Sequence, residues 1–202
     1  MRGSSPLSDT EVLRRGYAPT MTNRDLESAL SLIADVPDYP KPGILFKDIT
    51  PLLADGPSFR VVVDALAQSI ADLPKKIDAL VAIESRGFIL GGALCRALNI
   101  GFVTVRKPGK LPRNVHRKDY QLEYGFDALE MHKNLLSKDK TVVIVDDVLA
   151  TGGTVLACQD LVDMSGARTA AHLFLLEISQ LNGREAIQRA KPDIEIVSLL
   201  RT

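Results

Sequence analysis

VVIVDDVLATGGT, Val142 to Thr154, is the stretch on which the fold turns. Thr141–Val145 is a run of β-branched apolar residues and reads as a buried strand. Two adjacent carboxylates, Asp146 and Asp147, follow it. Gly152 and Gly153 then stand between Thr151 and Thr154. Thr154 to Met164 reads as a helix, with Gly166 as its stop. Glycines let backbone N–H groups come close to a ligand. Several such groups at a helix N-terminus form an anion site that the helix dipole favours, and threonine hydroxyls add donors. Two carboxylates beside a phosphate would repel it. They make sense against another part of the same ligand, such as sugar hydroxyls, which donate to carboxylates. A ribose 5-phosphate satisfies both halves. The chain has no GxxxxGK[ST] and no GxGxxG after a strand, which argues against a P-loop or dinucleotide site.

Outward from this stretch the chain alternates. Ala79–Ile83, Phe102–Val105, Ala170–Leu176 and Ile194–Leu200 read as short buried strands, and Phe88 to Leu98 reads as a helix. Continuous apolar strands between helices predict an α/β fold, a mostly parallel sheet flanked by helices. Ligands bind outside the carboxyl ends of such strands. That directs attention to Glu84–Gly87, Arg106 onward, Asp146 onward and Glu177–Ile178. Further upstream, Asn23 is a candidate cap for a helix carrying Leu26, Ala29, Leu30 and Ile33 on one face. Pro37, Pro40, Pro42 and Gly43 predict an irregular segment. Ser58 is placed to cap a helix with Phe59, Val62, Val63, Leu66, Ile70 and Leu73 at helical spacing. Residues 1–22 lack periodicity and are expected to be a flexible lead-in to one domain over 23–202.

Composition narrows the function classes. The 202 residues are 46% hydrophobic and 25% charged, which suits a globular core rather than disorder. Lysine plus arginine and aspartate plus glutamate both number 25, so a general nucleic-acid or membrane-surface binder is not expected. No run approaches the ~18 apolar residues of a membrane span, and no apolar core of a secretory signal opens the chain. Cys95 and Cys158 are not paired in a CxxC and read as buried thiols of a reducing, cytoplasmic compartment. His116, His132 and His172 have no zinc-site spacing and read as structural or surface residues. Any basic site must be local. Arg106, Lys107, Lys110, Arg113, Arg117 and Lys118 form such a concentration, suited to a polyanion, with Arg117 and Lys118 read as solvated. Lys107–Asp119, with Pro108, Gly109 and Pro112, reads as a long surface loop of the kind that serves as a lid.

Val142–Thr154 resembles the 5-phosphoribosyl 1-pyrophosphate (PRPP) motif of type I phosphoribosyltransferases. Tyr39–Thr50 (YPKPGILFKDIT), Glu84–Phe88 (ESRGF), Val105–Pro112 (VRKPGKLP) and Leu122–Gly125 (LEYG) fall in the order and spacing of the adenine phosphoribosyltransferase family. The resemblance runs from about Asn23 almost to the end. It implies a type I phosphoribosyltransferase fold with a small N-terminal hood over the base site. The implied reaction is transfer of phosphoribose from PRPP to adenine, giving AMP and pyrophosphate. By the same resemblance Ala150, Thr151, Gly152, Gly153 and Thr154 hold the 5′-phosphate, and Asp146 and Asp147 hold the ribose. Arg86, Arg106, Lys107 and Lys110 meet pyrophosphate, which brings Mg²⁺ held mainly by substrate and water. Glu123 is the implied general acid, with Arg86 beside the leaving group, and loop 107–119 closes over both. Leu45, Phe46, Lys47 and Ile178 are implied to meet adenine. The family often carries arginine at Lys47, so here the planar fork is lost and the backbone takes the base contact. The expected partners are adenine and PRPP, with no nucleic acid or membrane, and a homodimer is implied. Alternatives are a phosphoribosyltransferase for hypoxanthine, guanine or xanthine, or a non-catalytic PRPP-sensing regulator; the short lead-in shows no helix-turn-helix for the latter.

Overall fold

Residues 22–121 and 126–202 are described by the computed structural model, in two units that divide after Ala71. The expected lead-in lies outside the described residues except for Thr22. This residue, rather than Asn23, caps the first helix, α1 (Asn23–Leu30). Its hydroxyl accepts from the Asp25 N–H at 3.2 Å, and the Asp25 carboxylate accepts from the Thr22 N–H at 2.9 Å. The two bonds form a capping box. The proline-rich segment is not wholly irregular. Strands β1 (Ala34–Pro37) and β2 (Leu45–Asp48) flank it as an antiparallel pair. The turn between them is closed by Asp38, which accepts from the Gly43 N–H at 2.8 Å. Asp48 then holds the start of a short helix, α2 (Thr50–Ala54), accepting from the Thr50 N–H at 2.9 Å. The next helix, α3 (Gly56–Ala71), begins earlier than expected because Asp55, not Ser58, supplies the cap, accepting from the Ser58 N–H at 2.8 Å. Its predicted apolar face is in place, with Val62, Val63, Leu66 and Ile70 buried.

In the second unit a seven-stranded sheet forms among the described residues. Its strands are β3 (Ala79–Ile83), β4 (Gly101–Arg106), β5 (Val115–Gln121), β6 (Phe126–His132), β7 (Thr141–Leu149), β8 (Arg168–Glu177) and β9 (Glu195–Arg201), in the order β5-β6-β4-β3-β7-β8-β9. From β4 through β9 in that order the neighbours run parallel, while β6 pairs antiparallel with both β4 and β5. All five residues of β3 are buried. Val81 and Ile83 belong to a core shared with Val155, Cys158, Leu161 and Val162 of helix α5 (Gly153–Ser165). On the other side Ala82 faces helix α4 (Arg86–Leu98), where a Cβ at Gly91 would lie 2.8 Å from that of Ala82. A strand covered on both faces reads as a continuous apolar run, which is why the mostly parallel sheet was legible. The last helix, α6 (Gly183–Ala190), buries Ile187 in the same core as α5.

Two expectations change here. The strand before the glycine loop does not stop at Val145. It continues to Leu149, carrying Asp146 opposite Phe174 and Leu149 opposite Glu177 of β8. The acids lie within the strand because its neighbour extends far enough to keep pairing. The stretch 107–119 is loop only as far as Asn114, and Val115 onward pairs residue for residue with β6. Strand β5 has no apolar periodicity because ions hold much of it, while β6 sends Leu129 and Met131 into the core. Arg117 lies opposite Glu130, with an Nη1–Oε1 distance of 3.9 Å, and the Lys118 ammonium is 2.7 Å from Asp160 on α5. Neither cation is simply solvated.

Candidate active site

A cleft of about 540 Å³ opens where β3 and β7 end in the second unit. Glu84, Ser85 and Arg86 line one wall, and Asp146 through Gly152 line the floor, with Thr154 and Val155. Lys107, Tyr120 and Asp127 complete it. Arg86 begins α4, whose first turn lies against β7. A Cβ at Gly87 would be 3.0 Å from the Val145 carbonyl oxygen and 3.1 Å from the Asp146 carboxylate. Only glycine lets the helix start this close to the acids.

Three of the four cations expected to meet pyrophosphate stand on carboxylates. Arg86 Nε is 2.6 Å from Asp147 Oδ2, Arg106 Nε is 2.7 Å from Glu84 Oε2, and Lys107 Nζ is 3.1 Å from Asp127 Oδ2. Burial pushes Asp146 well above the usual carboxylate range, and the neighbouring Asp147 charge adds to this. Asp146 Oδ1 accepts from the Asp147 N–H at 2.9 Å, and the Arg86 charge pulls Asp146 down, but both are outweighed. Burial also raises Asp127, but the Ala128 N–H and the Lys107 ammonium together hold it below its ordinary value. Lys107 is raised by its bond to Asp127.

The glycine loop closes the far end. Gly152 takes φ +86° and is the N-cap of α5, and no side chain caps the helix. The first N–H groups of α5 therefore lack side-chain acceptors at the end of the cleft, the arrangement that suits an anion. Thr151 and Thr154 line the cleft beside them.

Several expected site residues of the second unit do not line this cleft. Arg106 turns to Glu84, and its guanidinium lies 5.9 Å from the centroid of the Phe88 ring; it also donates to the Lys110 carbonyl at 3.3 Å. The Lys110 side chain is exposed. Gly153 starts α5 but is not among the lining residues. Ile178 follows β8 and donates its N–H to the Leu149 carbonyl at 2.9 Å. In the first unit, Leu45 is exposed and the Phe46 ring meets Tyr39 edge-to-face at 5.2 Å. The Lys47 ammonium is 2.6 Å from Asp35, directly across the β1–β2 pair. That bond gives Lys47 a partner within its own hairpin. Glu123 lies outside the described residues. Asp127 and Tyr120 had no signal of their own in the sequence. They face each other in the β5–β6 register, which places them in the cleft, and such pairing is invisible until the strands are aligned.

The chain matches the phosphoribosyl transferase domain family over residues 49–194. It is 47% identical over 170 residues to an adenine phosphoribosyltransferase of Synechococcus sp., a match covering 84% of this chain and 96% of that one. An adenine phosphoribosyltransferase of Geotalea daltonii is 46% identical over 176 residues, covering 87% and 99%. Among solved structures, the adenine phosphoribosyltransferase of Thermoanaerobacter pseudethanolicus superposes with a TM-score of 0.82 at 43% identity, covering 88% of this chain and 99% of that one. The enzyme of Saccharomyces cerevisiae, solved with an imino-altritol bisphosphate and adenine, gives 0.81 at 34% identity, covering 89% and 100%.

Proposed function

The chain belongs to the phosphoribosyltransferase family, among the adenine phosphoribosyltransferases, and on that premise we propose how its cleft carries out the reaction. The enzyme transfers the phosphoribosyl group of PRPP to adenine, giving AMP and pyrophosphate, a step of purine salvage. The observation that carries the assignment of roles is the gathering, in one cleft, of the Asp146–Asp147 pair, Ala150, Thr151, Gly152 and Thr154, Arg86 and Lys107. The 5′-phosphate takes the N-terminus of α5 and the hydroxyls of Thr151 and Thr154. The ribose 2′- and 3′-hydroxyls donate to Asp146 and Asp147, and these acids offset positive charge growing at C1. The pyrophosphate replaces carboxylates as the partner of Arg86 and Lys107. Arg106 joins from the end of β4 and Lys110 from the loop before β5, which closes over the centre and keeps water from C1. Leu45, Phe46 and Lys47 of the first unit and Ile178 of the second are the residues assigned to adenine. Glu123 protonates or hydrogen-bonds the purine.

The donor set fits Mg²⁺ that arrives on the substrate. The cleft offers carboxylate oxygens, but Glu84, Asp127 and Asp147 each already hold a cation of the protein. Mg²⁺ keeps several waters and binds phosphates with few protein ligands. When bound, it neutralises charge on the leaving pyrophosphate. We also propose a cytoplasmic homodimer. Buried, unpaired Cys95 and Cys158 support a reducing compartment, and the dimer rests on the family resemblance. Light scattering that shows only the 22.0 kDa chain overturns the dimer.

Turnover of a base panel with PRPP and Mg²⁺ tests the function. A site built on hydrogen bonds rejects a mismatched edge by ~10⁴ or more, so adenine should exceed hypoxanthine and guanine by that order in kcat/KM. Comparable turnover of hypoxanthine refutes adenine specificity, and no turnover of any base refutes catalysis.

A further inference from the structure

The glycine loop does not stand alone. Its outer side rests on the start of α6, backbone against backbone. A Cβ at Gly152 would be 3.0 Å from the Gly183 carbonyl oxygen, and a Cβ at Gly183 would overlap the Ala150 carbonyl oxygen and lie 2.8 Å from Leu149 Cδ1. Both glycines are needed for this approach, and neither contact belongs to a ligand. The next residue, Arg184, ties α6 to the sheet. Its Nε and Nη2 donate to the buried Glu177 carboxylate at 2.9 and 2.6 Å, and Nη1 donates to the Ile196 carbonyl at 3.0 Å. Ser198 donates to the same carboxylate at 2.8 Å, and Arg201 stands 3.4 Å from it. Glu177 in turn lies opposite Leu149, the last residue of β7 before the loop. A closed path therefore runs from the loop to Gly183, through Arg184 to Glu177, and back across the sheet to Leu149.

We propose that Gly183 and Arg184 are positioning residues for phosphoribosyl transfer. They act as a strut that holds the carbonyl-bearing backbone of Ala150–Gly152 in the shape that receives the 5′-phosphate. The strut touches no substrate. A bidentate guanidinium–carboxylate fork fixes direction as well as distance, which an ammonium does not. Errors of about 1 Å in a positioning backbone are enough to cost ~10²-fold in catalysis. The strut rests on assigning the 5′-phosphate to Ala150–Thr154.

Steady-state kinetics and calorimetry with ribose 5-phosphate test it, using Arg184→Gln, Arg184→Lys and Gly183→Ala. A comparison variant, Lys191→Gln, removes a different ionic tether, the 2.7 Å pair between Lys191 at the end of α6 and Asp163. We expect Arg184→Gln and Gly183→Ala to raise the KM for PRPP and the Kd for ribose 5-phosphate at least fivefold. The KM for adenine should stay within twofold, Arg184→Lys should fall between Arg184→Gln and the parent, and Lys191→Gln should leave the KM for PRPP within twofold even where Tm drops. A smaller rise, an equal rise for both substrates, or the same rise in Lys191→Gln overturns the strut. If Arg184→Gln does not fold, Arg184→Lys and Gly183→Ala decide by a rise of more than twofold. A double variant, Thr151→Val with Thr154→Val, removes both hydroxyls assigned to the 5′-phosphate in the cleft and separates the layers. If it leaves ribose 5-phosphate binding intact, the phosphate assignment itself fails. If it abolishes binding while the strut variants do not weaken it, only the strut fails.

Discussion

Arg86→Ala gives the most demanding test of the cleft's electrostatics. The Arg86 guanidinium is 2.6 Å from Asp147, whose side chain is 7% exposed, and Arg86 itself is 35% exposed. Breaking a fully buried ion pair costs ~3–5 kcal/mol because a charge is left without its partner. Water reaches a third of Arg86, so part of that stabilisation is already screened. The expected loss is about 2–3 kcal/mol at pH 7, which is roughly 5–10 °C in Tm for a chain of this size. Asp147→Asn removes the charge that needs the partner, so it should cost less, and Arg86→Ala/Asp147→Asn should be little worse than Asp147→Asn alone. The coupling in that cycle should exceed ~1 kcal/mol. The pH dependence follows from Asp146. Its native value is raised, so stability is lost as the pH rises from the ordinary 3.8 to that native value, and is recovered as the pH falls back through the same window. Arg86 is one of the charges holding Asp146 down, so its removal should hurt more at a pH above the Asp146 titration than at one below it. Urea denaturation of the four cycle members at both pH values measures this. Additivity within ~0.3–0.5 kcal/mol would refute the ion-pair argument.

Asp146→Asn should stabilise the fold at pH 8, with the gain vanishing as the pH falls toward the ordinary value of 3.8, while kcat/KM drops about tenfold or more for one lost charge-assisted contact; a destabilised variant at pH 8 contradicts the burial argument. His172 is fully buried, its Nε2 is 2.9 Å from Gln159 Oε1, and burial lowers it from 6.5 to about 4. Native His172 resists the proton that the unfolded chain accepts. Stability should therefore fall by about 3 kcal/mol as the pH drops from 6.5 to 4 and level off below, at roughly 1.4 kcal/mol per pH unit. His172→Phe should lose much less over the same window, and parallel curves would contradict this. Phe46→Ala should raise the KM for adenine several-fold, since base stacking is worth ~1–3 kcal/mol, and leave the KM for PRPP within about twofold; equal changes in both would separate Phe46 from the base.

What the sequence determined by itself was whatever depends on neighbours along the chain. The buried runs Ala79–Ile83 and Thr141–Val145 predicted parallel strands because a strand covered on both faces needs unbroken apolar residues. The spacing of Val62, Leu66 and Ile70 predicted α3 because burial on a helix repeats every turn. Asp146, Asp147, Thr151 and Gly152, which line the cleft, were legible as candidates because a strand end, a glycine loop and a helix start are contiguous in sequence. Tertiary structure decided the pairings between distant segments. Strand β5 carries charge instead of periodicity, so only its register with β6 shows that Asp127 meets Tyr120, and only the folded loop brings Lys107 to the same carboxylate. The β1–β2 pairing likewise gives Lys47 its partner in Asp35. Gly183 has no local feature that sets it apart. Its importance comes from the Ala150 carbonyl lying where its Cβ would be, a contact made only after β7, β8 and α6 have assembled. Local chemistry sets which conformations a segment prefers, while the partner of each buried charge and each close backbone is chosen by the packing of elements far apart in the chain.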